Sequence, residues 1–248
     1  MNLPEDVHAS PNHEGGRGIV NVYYFPQKDF YPFTEFFFQE LSEAEKEKAL
    51  SFRFAEDSSN YIVCHGVLRF LLSQKLNHTN SELAILYGVN NKPYIKGNKI
   101  HFNISHSKEL CTIAFFKNDE VGIDLETIKP GIDYKTISVS CFSDKEQQQV
   151  MNSKLPLENF YMLWTRKEAF LKAIGLGFNT NLKEITTCQG INTIDYNRLC
   201  KFRKCNIRSR YYIYSTKRGS HFISIATTEK AAVNFARIEP GNLNPFFN

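Results

Sequence analysis

In the run Val121-Gly122-Ile123-Asp124-Leu125-Glu126, apolar side chains alternate with a glycine and two acids. That period of two is the signature of a strand with one buried face, and it puts Asp124 and Glu126 on the same side with Cα atoms roughly 6.6 Å apart. Two carboxylates so placed suit one hard cation, and magnesium takes only one or two protein carboxylates before completing its shell with water and phosphate oxygens. Alone, the pattern is more often that of an exposed strand face carrying two acids for solubility.

A second segment changes the balance. Leu157 to Ile174 contains no Gly or Pro and carries apolar residues at helical intervals, which predicts a helix ending at Gly175. Trp164, Glu168 and Lys172 recur every four residues and share one helix face. An isolated Glu168–Lys172 pair would be a solvated ion pair worth about 0.3 kcal/mol. Beside an acidic strand, a carboxylate flanked by Lys167 and Lys172 reads instead as phosphate chemistry, where positioning and charge neutralisation dominate.

A third segment, Asn103-Ile104-Ser105-His106-Ser107, follows the apolar-polar run from Ile100 and predicts a short strand ending in a turn. A hydroxyl beside an imidazole can bind phosphate, although a histidine at such a place is commonly structural. Upstream, Asn90-Asn91-Lys92-Pro93 predicts a turn, with Lys92 held extended by the proline after it.

Together these segments resemble the 4′-phosphopantetheinyl transferases of the two-lobed monomeric kind. The family pattern is [N/F]-x-S-H-[S/T], then G-[I/V]-D-[I/L]-E, then W-[S/T]-x-K-E-[A/S]-x-x-K, and all three occur here in order, with Lys92-Pro93 ahead of them. The resemblance covers roughly residues 41–178. It implies an α+β fold of two similar lobes related by a pseudo-twofold, with the active site between them: a flexible segment 1–17, a first lobe 18–117 and a second lobe 118–248. It also implies transfer of the phosphopantetheine arm of coenzyme A to a serine of an apo acyl or peptidyl carrier protein, with release of 3′,5′-ADP.

Carried over by position, Asp124, Glu126 and Glu168 would hold magnesium, or manganese, on the diphosphate. Lys172 and Lys167 would neutralise phosphate oxygens, Ser105 and His106 would grip phosphate, and Lys92-Pro93 would lie beside the adenine or its ribose. Glu168 and Lys172 are the expected catalytic residues, Glu168 taking the serine proton directly or through a water. The chain departs from the family where a helix carrying several arginines is common. Arg69 remains and Arg53 lies near its start, but Asn60 and His65 stand at positions that are often basic, so either the grip on the 3′-phosphate is weaker on this side or Arg53 and His65 supply it instead.

Composition fits this picture. The 248 residues suffice for two lobes, and 42% hydrophobic residues suffice for a core. The six cysteines form no C-x-x-C pair and no zinc spacing, which predicts reduced thiols and a cytoplasmic protein. No signal-peptide pattern and no apolar run near 18 residues is present, so no membrane partner is expected.

Eight basic residues and no acid lie between Arg198 and Arg218, a run expected to be a solvated strand face, or else to steer an acidic carrier. A formal charge of +4 falls short of a nucleic-acid footprint. Two alternatives are a non-catalytic carrier-binding or coenzyme-binding relative, which would be expected to have lost acids that persist here, and a metal-dependent nuclease. The nuclease wants lysine two residues after the second acid, whereas Lys129 follows Glu126 by three.

Elsewhere, patterning predicts strands at 19–25, 83–87, 100–104, 111–116, 185–188, 206–215 and 221–227, and helices at 42–50 and 57–76. Ser42 with Glu45, and Ser143 with Glu146, form capping boxes that open helices.

Overall fold

The computed structural model describes residues 18–97, 100–176, 181–193 and 210–243. The expected N-terminal segment 1–17 lies outside the described residues, as do Arg198 to Arg208 of the basic run, with Cys200 and Cys205.

The first half begins with β1 (Gly18–Pro26) and continues through α1 (Thr34–Glu40), α2 (Glu43–Leu50) and the long α3 (Ala55–Leu76). The short strands β2 (Ile85–Tyr87) and β3 (Pro93–Ile95) pair with each other, and the hairpin β4 (His101–Ser107) to β5 (Leu110–Phe116) follows. The second half repeats this plan. It runs β6 (Val121–Thr127), α4 (Tyr134–Cys141), α5 (Asp144–Met151), the long α6 (Pro156–Ile174), β7 (Gly190–Thr193) and the hairpin β8 (Arg210–Arg218) to β9 (His221–Thr227). In each half the opening strand pairs antiparallel with the second strand of the closing hairpin, so β1-β5-β4 follows the same path as β6-β9-β8. The architecture is therefore α+β with two similar lobes.

The likeness reaches single side chains. Ser42 and Ser143 each open a short helix with a complete capping box, closed by Glu45 and Glu146. Each of those glutamates also meets a buried cation of the long helix beside it: Arg69 NH2 lies 2.7 Å from Glu45, and Lys167 Nζ 2.8 Å from Glu146. A cap oxygen that also neutralises a buried cation ties the short helix to the long one and satisfies both charges.

One element leaves this plan. The last strand, β10 (Ala231–Arg237), pairs parallel with β1, giving the sheet order β10-β1-β5-β4. The expected second lobe of 118–248 thus loses its final strand to the first sheet. The segment Ala231-Ala232-Val233-Asn234-Phe235 carries no turn signal of its own, and only pairing with β1 makes it a strand.

The expected strand at 185–188 is also absent. There the Ile185 carbonyl accepts from Lys167 Nζ, and the Asn192 side chain bonds both the amide and the carbonyl of Cys188. Backbone groups satisfied by side chains have no ladder to join. The other expected elements appear within a few residues, and α1, α4 and β7 are additions.

Apolar clusters fill each half, and one of them joins the two sheets. Phe25, Phe37, Leu68 and Phe70 lie in the core between the first sheet and its helices. Val20, Val22, Ile123, Leu125 and Ile223 fill the space between the sheets, and Ala169, Phe170 and Ile213 that between the second sheet and α6. Among the described residues no helix is long and apolar enough to cross a membrane.

Candidate active site

The edge strands β4 and β6 of the two sheets run side by side without a backbone ladder between them. Alternate side chains of β4 do that work. Asn103 Oδ1 accepts from Ile123 N at 3.0 Å, Ser105 Oγ from Leu125 N at 3.2 Å and Ser107 Oγ from Thr127 N at 3.0 Å. Three polar residues at period two thus satisfy three amides at period two, which fixes the register of the lobes.

The face of β6 opposite its apolar residues lies under α6. At one end Gly122 allows direct contact, since a Cβ there would overlap the Ala169 carbonyl and the Ala173 amide. Helix and strand meet backbone to backbone at this point, with Thr165 Oγ1 2.8 Å from Ser224 Oγ further along. From that contact Asp124 and Glu126 point into the space beside Glu168 and Lys172. α6 ends at Gly175, whose φ of 67° suits the left-handed cap.

Asp124, Glu126, Glu168, Lys172, Ser105, His106, Trp164 and, from α3, Tyr61, Cys64 and His65 line a cavity of about 400 Å³. Lys172 Nζ donates to Asp124 Oδ1 at 2.7 Å and Ser105 Oγ at 2.8 Å, and Ser105 Oγ donates to Asp124 Oδ1 at 3.1 Å. Asp124 Oδ2 and Glu168 Oε1 are buried without a hydrogen-bond partner. Burial and the neighbouring Asp124 charge push the Glu168 carboxyl up to about 8, and the same two causes raise Glu126. Glu126 Oε2 accepts from Ser107 Oγ at 3.0 Å. His106 is held below the ordinary imidazole range by the protein atoms around it and by the Lys172 cation.

Three acids crowd one cavity with a single lysine among them, and oxygens that nothing satisfies. That is a demand for positive charge, and hard oxygen donors suit a divalent cation such as magnesium. Among the described residues no three His, Cys, Asp or Glu side chains converge tightly enough to form a ready-made cage. Magnesium needs no such cage, since it is commonly held by one or two carboxylates together with substrate phosphates.

A second cavity of about 270 Å³ adjoins the first, with Ile104, Glu168 and Lys172 in the wall they share. It is lined by the expected turn residues Lys92 and Pro93 with Asn90, Asn103 and Gly175. Asn90 Nδ2 donates to Gly175 O at 2.8 Å, and Lys92 Nζ is bound by Glu120 and, at 2.6 Å, by Ala173 O. The turn is thereby pinned to the end of α6.

The structure thus brings Asp124, Glu126, Glu168, Lys172, Ser105 and His106 together, with Lys92-Pro93 next door. Two expected residues lie elsewhere. Lys167 is buried, and its ammonium donates to the carbonyls of Leu182 (2.7 Å) and Ile185 while paired with Glu146. Adjacent residues on a helix do not share a face, so Lys167 points away from the cavity that Glu168 lines. Arg53 is exposed ahead of α3, its guanidinium 5.4 Å from the ring of Phe54, and is not part of the cavity wall. Ser105 has a different task from the expected one, since its hydroxyl is spent on Asp124, Lys172 and the β6 amide.

Sequence reasoning missed Tyr61 and Cys64 and gave His65 only by position. α3 is apolar on several sides, so no periodicity marks the face that meets the cavity.

Models of known families match both halves. One described as 4′-phosphopantetheinyl transferase superfamily matches residues 120–226, and one described as 4′-phosphopantetheinyl transferase, N-terminal, matches residues 30–117. The chain is similar to the 4′-phosphopantetheinyl transferase gsp of Aneurinibacillus migulanus, at 37% identity over 55% of this chain and 58% of that protein. It is also similar to the 4′-phosphopantetheinyl transferase HetI of Nostoc, at 32% over 58% and 63%. With the human L-aminoadipate-semialdehyde dehydrogenase-phosphopantetheinyl transferase it shares 29% over 57% and 50%. In each case the match spans less than two thirds of the relative's length.

Proposed function

The chain belongs to the 4′-phosphopantetheinyl transferase superfamily, and from that premise we propose that it transfers the phosphopantetheine arm of coenzyme A to a serine of an apo acyl or peptidyl carrier protein. The observation that carries the reading is the unmet charge of the cavity: Glu168 pushed up to about 8, with Glu168 Oε1 and Asp124 Oδ2 unpartnered. A site left this costly is one built for a charged ligand.

Asp124, Glu126 and Glu168 would hold magnesium, or manganese with the same oxygen donors, and the cation would supply charge neutralisation to the diphosphate. The chain's own groups do the rest. Lys172 faces both cavities and offers its ammonium to phosphate oxygens, with His106 as a second donor. The serine oxygen attacks the phosphorus that bears the pantetheine arm, its proton passes to Glu168 Oε1, and the bond to the departing 3′,5′-ADP breaks. Glu168 Oε1, which no protein group satisfies, is the oxygen free to take that proton. Lys92-Pro93 and the second cavity receive the nucleotide end. The reading describes a cytoplasmic monomer that works on protein and coenzyme, without nucleic acid or membrane.

The test is intact-mass spectrometry of apo carrier proteins after incubation with this protein, coenzyme A and magnesium. One added phosphopantetheine is expected, and none with EDTA or with Asp124→Ala. No addition to carriers of the fatty-acid, polyketide and peptide-synthetase classes, by a protein that binds coenzyme A, would overturn the reading.

A further inference from the structure

We propose that Ser107 is a positioning residue of the active site, its hydroxyl aiming the Glu126 carboxylate into the cavity where a divalent cation would bind. The assignment goes beyond the transferase reading but rests on its cation site.

Two serines of β4 do the same two things to β6. Ser105 Oγ accepts from Leu125 N and donates to Asp124 Oδ1. Ser107 Oγ accepts from Thr127 N at 3.0 Å and donates to Glu126 Oε2 at 3.0 Å. Each hydroxyl therefore bridges a β6 carboxylate and the amide of the residue after it. The repeat follows from period two in both strands, which puts residues 105 and 107 on one side of β4 and residues 124 and 126 on one face of β6. A hydroxyl has a single hydrogen to give. Where its oxygen already accepts from a strand amide, that hydrogen fixes the carboxylate it reaches.

The two acids differ in how much else holds them. Asp124 is buried and also takes the Lys172 ammonium at 2.7 Å. Glu126 has one more rotatable bond and is only partly buried, and among the described residues Ser107 is its one hydrogen-bond partner. Without that bond, nothing described holds the Glu126 carboxylate in the direction of the cavity it lines. A hydroxyl orients an acid and leaves its charge intact, whereas an ammonium orients and neutralises it. A neutral donor is therefore the partner that suits an acid awaiting a cation.

Ser107 can hold Glu126 because it is itself held. It is buried, it pairs with Leu110 at the turn of the β4–β5 hairpin, and its carbonyl accepts from Thr127 Oγ1 at 3.4 Å. The hairpin of the first lobe and the seam between the lobes thus meet at one residue. Ordering a glutamate costs side-chain entropy, and here folding imposes that order before any cation arrives. Partners that orient a metal ligand in this way contribute roughly tenfold or more to metal affinity.

Electron paramagnetic resonance counts free Mn2+ directly, so Mn2+ is titrated into the full chain with coenzyme A at saturation. Ser107→Ala should weaken Mn2+ binding roughly tenfold. In transfer assays it should need correspondingly more metal for half-maximal rate, while the rate at saturating metal stays near that of wild type. Ser107→Thr keeps the hydroxyl and should restore the affinity. Ser107→Cys, whose thiol donates only weakly, should lose affinity in the same direction and carries the test if the alanine variant does not fold.

Asn103→Ala is the comparison, since it removes a seam bond to the Ile123 amide without touching an acid. It should lower the melting temperature as Ser107→Ala does and leave Mn2+ binding unchanged. Wild-type Mn2+ affinity in Ser107→Ala, or in Ser107→Cys should the alanine variant not fold, overturns the proposal while the cation site stands. Equal loss in the Ser107 and Asn103 variants overturns it as well, because the seam as a whole would then set the site. If the wild-type protein binds no Mn2+ with coenzyme A present, the site reading fails and this one with it.

Discussion

Glu45 and Glu168 are both buried carboxylates on helices, yet they live in opposite electrostatic worlds. Glu45 receives Arg69, His65 and its own cap serine, and its carboxyl sits at about 2. Glu168 has Asp124 and Glu126 for neighbours and an unpartnered oxygen, and sits at about 8. The lobes share a plan, but one acid is a fastening and the other is a charged group kept in readiness. The second lobe repeats the fastening as well, in Glu146 and Lys167, so it has added the reactive acids rather than traded one kind for the other.

The largest expected effect separates the two roles. Glu168→Gln should cut transfer by roughly 10²- to 10⁴-fold. It should also raise the melting temperature above pH 8 in EDTA. Glu168 is an acid whose folded pKa lies above the ordinary 4.5, so its charging opposes folding, increasingly as pH rises from about 4.5 through 8. Loss of both transfer and stability at pH 9 would contradict this.

Glu45→Gln should do the reverse to stability, costing about 3–5 kcal/mol in denaturant melts because it strands the buried Arg69 cation. The wild-type contribution of Glu45, a depressed acid, is fully present above its unfolded value of 4.5 and disappears as pH falls toward 2. Acid unfolding curves of wild type and variant should therefore converge across that window. Parallel curves would show that Glu45 is no fastening.

Close approach gives a third comparison. A Cβ on Gly122 meets the backbone of α6, whereas one on Gly66 of α3 meets the side chain of Phe37. At Gly66 that Cβ would overlap the Cβ and Cγ of buried Phe37, so neither site has room to spare. Both Gly122→Ala and Gly66→Ala should cost about 3 kcal/mol, but Gly122→Ala alone should lower transfer, by shifting Glu168 and Lys172. Equal losses of transfer in the two variants would argue against the Gly122 contact as the device that seats α6 over the site.

The smallest effect concerns the seam. Asn103→Ala leaves the buried Ile123 amide without its acceptor and should cost about 1–3 kcal/mol. Hydrogen exchange at Ile123 should quicken in that variant ahead of exchange in β9. Unchanged exchange would mean that the lobes are registered by packing alone.

Much of this was legible in the chain because it follows from local periodicity. The alternation at 121–126 put Asp124 and Glu126 on one face, four-residue spacing joined Trp164, Glu168 and Lys172, and the two S-x-x-E boxes opened α2 and α5 where expected. Local pattern also misled. Lys167 stands beside Glu168 in sequence but about 100° away around the helix, and it went to Glu146. Ser105 looked like a phosphate ligand because nothing local reveals that its hydroxyl faces a strand twenty residues on.

The sequence by itself determined most of the strands and helices and which acids share a face, because side-chain direction follows from backbone period. Only the tertiary structure decided which groups are satisfied. It joined β10 to β1, stitched β4 to β6 through side chains, gave Glu45 its cations and left Glu168 among acids. Charge and hydrogen-bond satisfaction depend on distance and burial between segments far apart in the chain, and no local pattern encodes them.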